Sequence, residues 1–163
     1  MNPKVINVVV GGLGGQGVLR ASDILADAAL RAGFDVKKSE LHGMSQRGGS
    51  VSSDVRFGTE VLSPMVPAGE ADFLVILSAD QVDANRHVLR AEGHLIVPEQ
   101  VNPSLLSNRK SLNVALMGVL SRDLPIPEEH WAAALRANFA PKLWDANEQA
   151  FRLGRTVTEA SSP

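Results

Sequence analysis

The 163-residue sequence contains no cysteine. That absence excludes a disulfide, a thiolate-ligated iron–sulfur cluster, a cysteine-type zinc site and a thiol nucleophile. Any electron-transfer centre that works with this chain therefore belongs to another one. An excess of one charge is also lacking, because 16 Lys and Arg stand against 18 Asp and Glu, for a net charge of -2. This is not the basic surface that tracks nucleic-acid phosphates, so no nucleic-acid partner is expected. The longest apolar runs are about six residues, far short of a membrane span, and none is expected. Met1-Asn2-Pro3-Lys4 leads straight into a strand-like run rather than a secretory apolar segment, and the cytoplasm is the expected location. There is no G-x-S-x-G elbow and no G-x-x-x-x-G-K-[ST] loop, which removes the main support for a serine hydrolase or a nucleoside triphosphatase. His87, His94 and His130 lack metal-ligand spacing, and no metal site is expected.

What is there is the balance of an ordinary globular domain, 44% hydrophobic and 21% charged. One domain over residues 1–154 is expected, followed by a polar, frayed tail over 155–163. Val5 to Val10 is a short β-branched run ending at glycine, the pattern of a strand buried on both faces. Val18 to Ala32 carries Ala21, Leu25, Ala28 and Ala32 at helical spacing, with Gly33 as its stop. Asp35 to Leu41 and Val51 to Phe57 read as further strands, the second half-buried, with Val51, Val55 and Phe57 on one face. The prolines of Ser63 to Gly69 mark a loop. Phe73 to Leu77 is a second apolar strand, a helix is expected from Ser78 to about Leu89, and another strand from Gly93 to Val97. Helices over roughly 111–121, 128–139 and 142–153 complete the chain. Trp131, Leu135 and Phe139 line one face of the second, and Leu143, Ala146, Ala150 and Leu153 one face of the third. This rhythm predicts an α/β, Rossmann-like open and mostly parallel sheet with helices on both faces and a helical C-terminal segment.

Gly12-Leu13-Gly14-Gly15-Gln16-Gly17 fits G-x-G-x-x-G between a buried strand and a helix. Such a loop lets backbone N–H groups and a helix N-terminus approach an anion. Dinucleotide binding also wants an acid near the end of the second strand, and Asp35 is early and Glu40 late for that role. Direct nicotinamide-dinucleotide binding, close approach by another ligand or a partner subunit, and simple helix–sheet packing are the readings this loop leaves open.

Glu40-Leu41-His42-Gly43-Met44-Ser45-Gln46-Arg47-Gly48-Gly49-Ser50-Val51 is dense in functional groups for a connector. Arg47 beside Gly48-Gly49 presents a guanidinium next to bare backbone N–H groups, which suits a carboxylate or phosphate. The alternative is a solvated loop with Arg47 paired to Glu40 or Asp54.

Taken together, Gly-Gly-Leu-Gly-Gly-Gln-Gly and His-Gly-Met-Ser-Gln-Arg-Gly-Gly closely resemble the gamma-type domain of 2-oxoacid:ferredoxin (acceptor) oxidoreductases, nearest to the small beta subunit of the indolepyruvate enzymes. The resemblance continues through Ser63-Pro64, Ala71-Asp72, Asn147 to Phe151 and Gly154. It implies one subunit of an enzyme that oxidatively decarboxylates an aromatic 2-oxo acid with coenzyme A, giving an acyl-CoA, carbon dioxide and a reduced acceptor. It further implies that thiamine diphosphate and the iron–sulfur clusters sit in larger partner subunits, with ferredoxin or another acceptor taking the electrons. The residues expected at a ligand or subunit contact are Gly12, Gly14, Gly15, Gln16, Gly17, His42, Gln46, Arg47, Gly48 and Gly49. No catalytic residue is assigned in this chain. A stand-alone dinucleotide binder and a pure subunit-interaction module are the alternatives.

Overall fold

A computed structural model describes residues 4–42 and 49–157. Its strands are β1 (Val5–Leu13), β2 (Asp35–His42), β3 (Ser50–Gly58), β4 (Ala71–Ile76) and β5 (Leu89–Ile96); its helices are α1 (Val18–Arg31), α2 (Val82–Asn85), α3 (Leu112–Ser121), α4 (Glu128–Asn138) and α5 (Trp144–Thr156). The five strands form one open sheet in the order β2-β3-β1-β4-β5. Four of them run the same way, and β3 opposes its neighbours β1 and β2. The expected α/β class, with a mostly parallel sheet and a helical C-terminal segment, is the observed one.

The β-branched run of β1 forms the centre of the sheet because both of its faces find cover. Val8 and Val10 point to one side with Val55, Phe57 and Val75, under Leu25 and Ile24 of α1 and Leu116 and Leu120 of α3. Val9 points to the other side with Leu74, Ile76 and Val66. The long helices all gather on the first face: α4 packs on α1, and α5 on α3. Against the expectation of helices on both faces, the second face among the described residues receives the loop 59–70 and, as its helix, the four-residue α2 with its flanking turns.

Three local expectations change. The helix expected from Ser78 to Leu89 is instead a run of 3₁₀ turns around the four-residue α2, and β5 begins at Leu89 rather than Gly93. This segment must return the chain along the whole length of β4, and a 3₁₀ turn rises about 2.0 Å per residue against 1.5 Å for an α-helix. The buried face of α5 is Asn147, Ala150, Phe151 and Gly154, with Leu143, Ala146 and Leu153 only half-buried. The cause is at Gly118 and Gly154, where the backbones of α3 and α5 touch: a β-carbon at either would run into a carbonyl oxygen of the other helix. Small residues thus turn inward instead of the leucine stripe. Finally, α5 continues through Thr156, past the end expected at Leu153, and Arg155 donates to Ser121 Oγ at 2.9 Å and pairs with Glu128. Phe139 ends α4 in extended backbone, under the Arg20 guanidinium. Among the described residues no helix is long and apolar enough to cross a membrane.

Candidate functional site at the glycine loop

The antiparallel register sets Leu13 of β1 opposite Ser50 of β3, and His42 of β2 opposite Val51. The glycine loop after β1 and the end of the β2–β3 connection therefore meet at the same edge of the sheet. The Gly14 N–H donates to Gly49 O at 2.9 Å, joining the two segments directly. The turn is closed internally by Gln16, whose Oε1 accepts from Leu13 N–H at 2.7 Å while its own N–H donates to Leu13 O at 3.2 Å.

Gly15 and Gly17 both adopt the left-handed region, at φ +88° and +86°, which side-chain-bearing residues rarely enter. Gly15 is exposed, with nothing near its missing β-carbon. Gly17 is the N-cap of α1 and packs on Asn113, whose Nδ2 donates to Gly17 O at 3.2 Å. Helix α1 starts with no side-chain cap and no acid in its first turn. Its leading N–H groups, which lack intrahelical partners, thus keep a positive field at the loop.

This is where the connections part: α1 leaves β1 toward the helical face, while the chain after β4 crosses to the other, and open α/β sheets bind ligands at such a point. A cleft of about 400 Å³ lies there, lined by Gly15, Gln16, Gly17, Leu77, Arg109, Lys110, Leu112 and Asn113. A second of about 460 Å³ lies on the other side of the loop, against Arg20, His42 and Val51. Cationic side chains flank the glycine loop on both sides. Arg20 is committed elsewhere, donating to Asn138 O.

Of the residues expected here, Gly14, Gly15, Gly17, His42 and Gly49 come together around the loop, and His42 is exposed. Gln16 lines the first cleft but spends its carbonyl on the turn. Gly12 is buried, and a β-carbon there would meet Gln16, Val18 and Leu77 within about 3 Å, so its place is explained by packing. Gln46, Arg47 and Gly48 lie outside the described residues. Arg109, Lys110 and Asn113 were not foreseen: their only local signal is the Asn108 side chain capping the turn before an apolar helix, and the packing of α3 against α1 brings them to the loop.

The dinucleotide reading loses its geometry. Strand β3 stands between β1 and β2, which moves the end of β2 one strand spacing, about 4.8 Å, further from the glycine loop than in a sheet where they are neighbours. Glu40 is moreover engaged by Lys38 at 3.0 Å. Burial would lower the Lys38 pKa, but its hydrogen bonds to Asp23 and Glu40 outweigh that and raise it, keeping the ammonium charged. Among the described residues no cluster of three His, Asp or Glu side chains is placed to hold a metal ion.

A mixed α/β sheet with a basic crevice beside a glycine turn is suited to receive an anionic group. Comparison with known proteins places it further. Residues 7–108 match the pyruvate ferredoxin/flavodoxin oxidoreductase family. The chain is 37% identical to the indolepyruvate oxidoreductase subunit IorB of Thermococcus kodakarensis, over 93% of this chain and 95% of that protein. That alignment runs to 193 positions, longer than this chain, so the relative carries segments absent here. The fold matches pyruvate oxidoreductase subunit PORC of Thermotoga maritima at a TM-score of 0.80 and 23% identity, covering 98% of this chain and 99% of that one. It also matches the 2-oxoglutarate:ferredoxin oxidoreductase of Magnetococcus marinus, solved with 2-oxoglutarate, coenzyme A and succinyl-CoA, at 0.82 and 19%, covering 98% of this chain and 32% of that one. The chain belongs to the pyruvate ferredoxin/flavodoxin oxidoreductase family, as an IorB-like oxidoreductase subunit.

Proposed function

We propose that the chain is the small subunit, without a redox centre of its own, of a cytoplasmic thiamine-diphosphate-dependent oxidoreductase that decarboxylates an aromatic 2-oxo acid. An arylpyruvate such as indolepyruvate, or an arylglyoxylate such as phenylglyoxylate, is converted to its acyl-CoA and carbon dioxide, and the electrons pass to ferredoxin or another acceptor. The similarity to an indolepyruvate oxidoreductase subunit over nearly the whole chain is the observation that carries this reading. With no cysteine, the residues present do not fit a thiolate-held iron–sulfur cluster. Thiamine diphosphate, which supplies the carbanion chemistry, is assigned to a larger subunit, as are the clusters.

The first cleft does fit an anionic group such as the phosphates of coenzyme A. Arg109 and Lys110 would neutralise them, the N-terminal N–H groups of α1 would donate to them, and Gly15 leaves room for their approach. Gly14, Gln16, Gly49, and on sequence grounds Gln46, Arg47 and Gly48, would order this edge against the ligand or the neighbouring subunit, with His42 at the second cleft.

The test is to tag the chain in its native host, purify it without oxygen, and assay aryl and aliphatic 2-oxo acids with and without coenzyme A. Co-purification of a larger chain carrying thiamine diphosphate and iron, with acceptor reduction dependent on an aryl substrate, is expected. A lone chain that saturably binds a nicotinamide dinucleotide refutes the reading. Arg109→Ala with Lys110→Ala is expected to raise the KM for coenzyme A about ten-fold at little cost in kcat, as two partly screened charges each worth ~0.7 kcal/mol would give. An unchanged KM removes the phosphates from this cleft.

A further inference from the structure

The four long helices pair off: α4 packs on α1 and α5 on α3, while α4 and α5 meet each other only lightly. Between these two lies a cleft of about 300 Å³ that shares no residue with the clefts at the glycine loop. Its ends are closed by ion pairs from one helix to the other. Arg136 of α4 donates to Glu148 of α5 at 2.8 Å, and Arg155 of α5 pairs with Glu128 of α4. Residue numbers rise along α4 as they fall along α5, so the two helices run antiparallel. Midway between the two ion pairs stand Ala132 and Arg152, both on the wall of the cleft.

The guanidiniums at the ends are occupied. Arg155 also donates to Ser121 Oγ at 2.9 Å, and Arg136 also lies over the Trp144 ring, 4.8 Å from its centre. Arg152 differs: it is exposed, and among the described residues no carboxylate pairs with it. Three guanidiniums against the carboxylates of Glu128 and Glu148 leave the cleft one positive charge. Leu135 and Phe151, both buried, give the same cleft an apolar floor. A lone surface arginine needs no partner. Here, however, both outer rungs of the ladder between the helices carry a carboxylate, and the central rung sets a guanidinium beside open space over apolar side chains.

We propose that this cleft binds a small aryl carboxylate, with its acid group on Arg152 and its ring against Leu135 and Phe151. The guanidinium fork matches a carboxylate through two parallel hydrogen bonds, and an aromatic ring gains on Phe151 beyond the burial of apolar area. A volume at the lower bound of small-molecule sites admits a ligand of a ring or two, not a dinucleotide. A single net positive charge matches a monocarboxylate rather than a polyphosphate. The ligand class follows from the cleft and not from the function proposed above. Two compounds of that reaction nonetheless belong to it: the aryl 2-oxo acid itself, and the aryl acid left when its acyl-CoA is hydrolysed.

Isothermal titration calorimetry of the full chain with phenylacetate and with phenylpyruvate tests this. Saturable binding of at least one of them is expected, and the tighter of the two tells whether the acid from the product or the 2-oxo acid is the natural ligand. Arg152→Ala is expected to weaken that binding roughly ten-fold or more, as the loss of a charge-assisted hydrogen-bonded pair would. Ala132→Leu, which fills the cleft without touching a charge, is expected to abolish it. Both residues are exposed, so neither change should move the Tm by more than about 2 °C. Acetate, which offers the charge alone, and 2-phenylethanol, which offers the ring alone, are expected to bind at least ten-fold more weakly than phenylacetate. The proposal is overturned by no saturable binding of either acid, by binding indifferent to both substitutions, or by acetate or 2-phenylethanol binding as tightly as phenylacetate. Each of these outcomes leaves the oxidoreductase function standing, because the co-purification that tests it does not depend on this cleft.

Discussion

Gly17→Ala tests whether the start of α1 is locked to α3 at the site. The substitution acts twice. It forces a β-carbon into backbone at φ +86°, which costs about 1–2 kcal/mol for an L-residue. It also drives that carbon into Asn113, colliding with Nδ2 and approaching Cγ to 3.0 Å. Asn113 is buried, and its Oδ1 accepts from Val114 N–H at 2.9 Å, so the side chain yields only by giving up its bond to Gly17 O, about 1 kcal/mol. The expected total is ~2–3 kcal/mol, or roughly 5–10 °C in Tm for a chain of this length. Gly15→Ala is the control: its φ is +88° but nothing lies near the added carbon, so only the backbone cost of about 1–2 kcal/mol applies. The decisive assay is a double-mutant cycle by urea unfolding over Gly17→Ala and Asn113→Ala. Removing the Asn113 side chain removes the collision, so the double variant should be more stable than the sum of the single losses predicts, by ~1 kcal/mol. Strict additivity would refute the contact as the source of the loss.

Two further predictions concern the frame around the site. Burial raises the Asp54 pKa against the opposing Val66 N–H and the Arg56 charge, whereas the Val61 N–H and Lys37 lower that of Asp35. A carboxyl raised in the folded state loses stability as pH rises above its unfolded value of 3.8; a lowered one contributes stability above 3.8 that is lost as pH falls through its depressed folded value. Asp54→Asn should therefore gain on wild type as pH climbs from 3.8, whereas Asp35→Asn should fall behind as pH climbs from the depressed folded value up to 3.8 and then run level with wild type, with chemical denaturation from about pH 2 to 7 as the measurement and slopes of the same sign as the refutation. Gly154→Ala should destabilise by ~1–3 kcal/mol despite the better helix propensity of alanine, because its β-carbon would displace the Ala115 carbonyl of α3; an unchanged or raised Tm would mean that α3 and α5 do not touch there.

What was legible in the sequence follows the range of the interactions. Val5 to Val10 and Phe73 to Leu77 declare themselves as buried strands because an uninterrupted β-branched run has no polar face to solvate. The helix after the glycine loop is equally plain, since its apolar spacing and its stop are both local. Strand order is not local: nothing between Asp35 and Phe57 announces that β3 slides in between β1 and β2, yet that insertion moves Glu40 away from the glycine loop. The α5 face went the same way, because the leucine stripe was the stronger hydrophobic signal and the contact of two glycine-bearing backbones is invisible until α3 is in place.

The site divides along the same line. Its glycines are readable because each does a backbone job within six residues of chain, whereas Arg109 and Lys110 in the turn before α3, and Asn113 in its first turn, reach it from almost a hundred residues away. The cleft is therefore assembled by α1–α3 packing at Gly17 and Asn113, while Gly118 and Gly154 hold α3 close to α5 behind it. Loosening α3 from α5 at Gly154 should then be felt at the cleft proposed for coenzyme A through the shift of Arg109 and Lys110, not only in stability. The same variant offers a check on that argument: a KM for coenzyme A that stays at wild type while the Tm falls would mean the turn before α3 keeps its place independently of the helix it precedes.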